Sequence, residues 1–222
     1  VALKPGARDP FTPHRLVAAL VTAGLPAEFF SVYPSDHDTT AALMSAWPRV
    51  QLFGDDATVA RYQDDPRVQV NGPGRCAVVL GAGVDWRAHL EDLADGVTRH
   101  AGRSCLNTST VVTLDGVETA DALADALSER LGEQVIHRCD PADPLARAER
   151  PDPFAGVVAV DADDVAEWLG HRLSVATFGV DDALVDQVRA AGSVERLAPN
   201  ALHSVDTSTI ALHLERMQAL LR

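Results

Sequence analysis

The chain has 222 residues, 46% of them apolar and 23% charged, which is the balance of a soluble globular protein with room for a buried core. Lys and Arg number 19 against 32 Asp and Glu, and the net charge of −13 excludes nonspecific binding to nucleic acid or to an anionic membrane. No run reaches the roughly 20 apolar residues of a membrane span. No signal peptide is visible, and the three widely spaced cysteines at 76, 105 and 139 fit neither a disulfide framework nor a zinc site, so a reducing cytoplasm is expected.

Val1–Leu3 reads as a strand ending in Lys4-Pro5-Gly6, and because it opens without an initiator Met a segment upstream of Val1 is expected. Pro13–Ala23 predicts a helix, with Leu16, Val17, Leu20 and Val21 on one face and Gly24 at its stop. Strands at Phe29–Tyr33, Val50–Phe53 and Val68–Val70 alternate with helices at Thr39–Trp47 and Asp56–Asp64, the pattern of a parallel, doubly wound sheet. Loops at the carboxyl ends of such strands carry ligands, and Lys4 and Gly54 stand at such ends. Asn71-Gly72-Pro73-Gly74-Arg75 is the sharpest break and marks a domain boundary, with 1–71 on one side and 72–205 on the other.

A second α/β series follows. Strands are expected at Ala77–Leu80, Thr110–Leu114, Phe154–Val160, Leu173–Phe178 and Val194–Leu197, and helices at Trp86–His100, Thr119–Leu131, Ala162–Leu169 and Asp181–Ala191. Arg138–Pro153 reads as a Pro- and Asp-rich loop, and 206–222 as a separate C-terminal helix with Ile210, Leu214, Met217 and Leu221 on one face.

Gly102-Arg103-Ser104-Cys105-Leu106-Asn107-Thr108-Ser109 sets one cysteine between a helix and a strand, among small polar residues and beside Arg103. Cations and exposed amides stabilise thiolate over thiol, so Cys105 is the candidate nucleophile, and a small buried core residue is the alternative. His100 is either its base or a complement to a helix dipole. The eight histidines show no HxxxH or HxH spacing, so no metal is expected. Ser104, Thr108 and Ser109 lack a GxSxG elbow. Cys76 reads as core and Cys139 as loop.

Taken together these motifs resemble the aldehyde dehydrogenase superfamily. Ala2-Leu3-Lys4-Pro5 is similar to its strand ending in a Lys-Pro at the adenosine ribose, Ala23-Gly24-Leu25-Pro26 to its "aGlP" turn, and Leu52-Phe53-Gly54 to its "FTGS" strand end. Gly102-Arg103-Ser104-Cys105 matches the "GQ-x-C" nucleophile loop. Asp152-Pro153-Phe154-Ala155-Gly156-Val157 resembles "E-x-FGPV", whose acid and Phe flank the nicotinamide, and Pro199-Asn200 follows the late "aG-x-v-x-x-N" segment.

The resemblance implies an α/β fold with a partial doubly wound nucleotide-binding sheet and an α/β catalytic domain. It implies Cys105 as nucleophile with Asn107 and the Cys105 N–H as oxyanion donors, and Lys4, Gly54, Gly72, Gly74, Asp152 and Phe154 around NAD or NADP. Where hydrolytic members carry the glutamate of "ELGG", the chain has Val70-Asn71-Gly72-Pro73-Gly74, similar to the coenzyme A-acylating and acyl-reducing branch. Its substrates would be a small aldehyde or acyl thioester with coenzyme A as co-substrate. A hydrolytic member, or a noncatalytic one acting as an interaction module, is the alternative. Asp55 and Asp56 would repel a pyrophosphate unless they serve as helix caps. A sheet beginning at Val1 is expected to expose an edge or an apolar face, met by a homo-oligomer or by the missing N-terminal segment.

Overall fold

The computed structural model describes residues 1–6, 9–34, 36–142, 153–192 and 194–199. The expected C-terminal helix, Asp152 and Asn200 lie outside them. The described chain divides into two compact units, one of Val1–Leu52 with Arg61–Val70, the other of Phe53–Ala60 with the chain from Asn71 on.

In the first unit, β1 (Ala2–Leu3) pairs in parallel with β2 (Ser31–Val32), placing Leu3 beside Val32. Between them runs α1 (Thr12–Thr22). Gly24 closes it at φ 101, where an L side chain is strained, and the Gly24 and Leu25 N–H groups donate to the carbonyls of Val21 and Leu20. That is a Schellman stop, as the glycine implied. Asp36 caps α2 (His37–Ala46) by accepting from the Thr39 N–H at 2.9 Å. The strands of this unit form two two-stranded pieces, β1–β2 and the pair of β3 (Val50–Phe53) with β4 (Val68–Asn71). Met44 and Val68 are the buried hydrophobic residues described in it.

The second unit opens with the short α3 (Asp56–Ala60), half the expected length. It is then built on a six-stranded parallel sheet of order β10-β9-β5-β6-β8-β7. Its strands are β5 (Cys76–Leu80), β6 (Thr108–Thr113), β7 (Ile136–Cys139), β8 (Ala155–Ala159), β9 (Arg172–Phe178) and β10 (Val194–Pro199). β5 is buried at every residue, as a central parallel strand covered on both faces must be.

On one face α4 (Leu90–Thr98) and α5 (Gly116–Leu131) bring Leu93, Val97, Leu123 and Leu127 against Val78, Leu80, Val111 and Val157. On the other, α6 (Val165–Leu169) and α7 (Asp182–Ala190) bring Val165, Leu169, Leu184 and Val188 against Ala77, Val79, Val112 and Val175. Each fully buried Val or Leu contributes roughly 1.5–3 kcal/mol, so these two layers hold the unit together. β7 corrects the sequence reading, which had a loop from Arg138. Ile136-His137-Arg138-Cys139 is an edge strand, where polar side chains can face water.

Candidate active site

Three strands of the sheet start at one level. Cys76 is in register with Thr108, and Thr110 with Gly156, which sets Phe154 level with Thr108. The residues preceding β5, β6 and β8 therefore meet at the amino ends of the strands, opposite to the carboxyl-end placement usual for open α/β sheets. There they enclose a cavity of about 330 Å³. Its wall includes Phe53, Gly54, Gly72, Gly74, Arg75, Arg103, Cys105, Asn107 and Phe154.

The Cys105 loop owes its shape to the end of α4. The helix stops at Thr98, and His100, Ala101 and Gly102 follow at φ 55, 57 and 74. A left-handed backbone costs a non-glycine residue about 1–2 kcal/mol, so two such residues in a row need support. Asn107 supplies it. Its side-chain amide donates to the carbonyls of Gly96, Val97 and Arg99 at 3.0, 3.1 and 2.8 Å, satisfying acceptors that the helix end leaves open. Its Oδ1 accepts from the Ser104 N–H at 2.9 Å.

From below, the buried Cys76 thiol donates to the Cys105 carbonyl at 3.2 Å. A Cβ on Gly74 would stand 1.6 Å from that same oxygen. Gly74 is therefore bare in order to seat the Cys105 peptide, not to leave space for a ligand. Gly54 is bare to admit Thr58, whose Cβ would lie 2.8 Å from an added carbon. Gly72 has ordinary room, its nearest neighbour being a Val59 methyl at 3.6 Å.

Two of the expected roles meet specific contacts in this loop. Asn107 is not free to donate to an oxyanion, because its amide hydrogens are engaged by three backbone carbonyls. Nor does the loop favour thiolate. Cys105 is exposed as a residue, yet the wall around it removes water from its sulfur and pushes the thiol above its ordinary pKa, outweighing the help of its own N–H. Arg103 donates through Nε to the His100 carbonyl at 3.3 Å and does not offset that loss.

The Asp55-Asp56 pair resolves as caps and counter-charges: Asp55 accepts from the Thr58 N–H at 2.8 Å, and Asp56 pairs with Arg75. His100 is exposed on the left-handed turn and is not part of the cavity wall. Phe154 is buried against His137, ring centroids 4.7 Å apart, and also faces the cavity. Lys4 is half-buried in the first unit, just past β1. Among the described residues no three His, Cys, Asp or Glu cluster as metal ligands, and no helix is long and apolar enough to cross a membrane.

One residue the sequence reading passed over braces the site. Arg172, only 1% exposed at the start of β9, donates to the carbonyls of Leu169 at 2.7 Å and Arg75 at 3.0 Å, and to Thr110 Oγ1 at 3.3 Å. With the Leu173 N–H on the Gly74 carbonyl at 2.8 Å, it clamps the Gly74-Arg75 step, where Arg75 sits at φ 46. An arginine opening the apolar run Leu173–Phe178 was the available signal.

Fold and site together define a parallel α/β domain presenting a cavity-lining cysteine at the amino edge of its sheet. Solved structures with this fold include a mutant of propionaldehyde dehydrogenase from a Clostridium phytofermentans microcompartment, at 20% identity and a TM-score of 0.72. They also include an NAD-dependent aldehyde dehydrogenase from Sinorhizobium meliloti, at 17% and 0.74. A third is gamma-glutamyl-gamma-aminobutyraldehyde dehydrogenase from Burkholderia cenocepacia, at 15% and 0.73. Each match covers 91–92% of this chain but only 60%, 54% and 54% of the other. No curated protein matches. Residues 1–151 match the aldehyde dehydrogenase family, and the chain belongs to that family.

Proposed function

We propose that this chain carries the thiol centre of an NAD(P)-dependent oxidoreductase that interconverts an aldehyde and an acyl thioester through an acyl group held on Cys105, with coenzyme A as the thiol partner. The observation that carries this reading is the cavity wall: an exposed cysteine stands in it, and among the described residues no Asp, Glu or His lines it. A deacylating water needs a base, whereas an incoming thiol brings its own nucleophilic sulfur.

The wall is compatible with the nicotinamide end of a dinucleotide. Phe53 and Phe154 offer apolar contact, Gly72 leaves room, and Asp55 and Asp56 are occupied as cap and counter-charge. On this reading Gly54, Gly72 and Phe154 face the cofactor, Lys4 belongs to its adenosine end, and the nicotinamide, when bound, accepts or supplies the hydride.

The chain's own chemistry follows from its groups. The Cys105 proton passes to solvent, since no described base lines the cavity. The sulfur then bonds to the carbonyl carbon while the π pair moves to oxygen. With Asn107 committed to α4, the Cys105 N–H is the donor the loop retains for charge on that oxygen. In the thioester-exchange half, an external thiolate attacks the acyl carbon and Cys105 departs as thiolate.

The noncatalytic reading also has an observation behind it, the raised thiol pKa. Intact-mass analysis separates the two. Incubation with propionyl-coenzyme A should add one acyl group to the protein, mapped to Cys105, lost in Cys105→Ser and discharged faster by added thiol than by water. No adduct on the unmodified chain, or discharge by water at an equal rate, overturns the proposal.

A further inference from the structure

At the start of β9 a charged group stands in an apolar setting. Arg172 precedes the run Leu173–Phe178 and is the largest side chain fully buried among the described residues. An ionised side chain is costly to bury, and an apolar one of similar volume would fill the space without that cost. What the guanidinium adds is a junction between three segments. Its Nε donates to the carbonyl of Leu169 at the end of α6. Its Nη1 donates to the carbonyl of Arg75, just before β5, and to Thr110 Oγ1 on β6. Its central carbon lies 5.7 Å from the centre of the Trp168 ring.

The Arg75 contact falls where the sheet is least regular. The register of β5 on β6 shifts between Cys76 and Ala77, and such bulges bend a strand and recur beside active sites. One residue earlier Arg75 stands at φ 46, a conformation that persists in a non-glycine residue only when its surroundings enforce it. Arg172 holds the Arg75 carbonyl, and the N–H of its neighbour Leu173 holds the Gly74 carbonyl. Gly74 lies directly against the Cys105 carbonyl oxygen, which would be 1.6 Å from a Cβ placed there, and the Cys76 thiol donates to the same oxygen. Only the Gly74-Arg75 step therefore separates the buried guanidinium from the Cys105 peptide.

We infer that Arg172 is a positioning residue for acyl transfer: through the Gly74-Arg75 step it fixes the Cys105 peptide, and with it the N–H that receives charge on the substrate oxygen. This deepens the reading of Cys105 as an acyl carrier and rests on it. In transfer from a coenzyme A thioester the Cys105 sulfur bonds to the acyl carbon and the π pair moves onto oxygen. That pair returns as coenzyme A leaves as thiolate. The step needs a donor at a set place beside the oxygen. Alkylation by iodoacetamide also consumes the Cys105 thiolate, but it displaces iodide and builds no oxyanion. The two reactions of one sulfur therefore separate the placing of the donor from the ionisation and access of the thiol.

The unmodified chain, Arg172→Met and Arg172→Lys are each treated with propionyl-coenzyme A and, separately, with iodoacetamide, and both rates at Cys105 are read by intact mass. The folded fraction is set by far-UV circular dichroism. Arg172→Met should lower the ratio of acylation to alkylation by about ten- to a hundredfold, with alkylation itself held within about twofold. Arg172→Lys keeps the charge and a donor but loses the planar fork that spans Leu169 and Arg75, so its ratio should fall only about threefold. A residue that serves stability alone moves both rates together or neither. An unmoved ratio in Arg172→Met, or alkylation falling in step with acylation, overturns the inference. If Arg172→Met does not fold, Arg172→Lys decides, and an unmoved ratio there overturns it equally. No acyl adduct on the unmodified chain ends the acyl-carrier reading and this inference with it, whereas an adduct whose ratio ignores Arg172 ends this inference alone.

Discussion

At the scale of the residue, the cysteine nucleophile loop is defined by what surrounds each atom. Cys105 resembles a reactive thiol in its exposure and a quiet one in its ionisation, because water is removed from the sulfur without a cation to compensate. The sign follows directly. A raised pKa leaves the neutral thiol dominant at pH 7, and thiolate appears only as pH rises through a value above the ordinary 8.5 or so. Iodoacetamide labelling of Cys105 should therefore climb about tenfold per pH unit through neutrality and level off only above about pH 9. Cys76, fully buried, should label last. A plateau already reached at pH 7 would mean the thiolate is stabilised after all.

At the scale of the element, the junction between α4 and β6 depends on a side chain that reads as catalytic and acts as a cap. Asn107 ties three carbonyls around the end of α4 to the turn that carries Cys105, across two non-glycine residues at positive φ. Each such hydrogen bond contributes about 1 kcal/mol net, and orphaning its partners costs more. Asn107→Ala should thus lower unfolding stability by about 2–3 kcal/mol in urea. A residue serving only as an oxyanion donor would leave stability unchanged, and that result would restore the catalytic assignment.

The same junction shows where the sequence was legible. Gly24 and Asp55 announce helix ends through local chemistry and stop or cap helices as expected, and Asp36 and Asp181 cap two more. The runs read as strands at 77–80, 110–114, 154–160 and 173–178 announce themselves by length and branching. The left-handed turn at 100–102, the clamp of Arg172 on Arg75 and the edge strand at 136–139 were hidden. Each depends on a partner distant in sequence or on position within the sheet, and no local periodicity encodes either.

At the scale of the whole molecule, burial is distributed unevenly. The second unit holds both apolar layers, while the first has Met44 and Val68 as its only described buried hydrophobic residues. α1 has no buried residue, and Phe11, Leu16, Leu25 and Phe29 are between 40% and 65% exposed. Conformational entropy of roughly 1–2 kcal/mol per residue opposes folding everywhere, and only buried apolar area offsets it at scale. The first unit should therefore open far more readily than the second. In hydrogen exchange followed by mass spectrometry, amides of β1, α1 and β2 should exchange within minutes through openings of about 1–3 kcal/mol. Those of β5, β6, β8 and β9 should exchange only through global unfolding. Protection of β1 and β2 equal to that of β5 would show that something other than the described core stabilises the first unit, and self-association would then be visible as slower exchange at higher protein concentration.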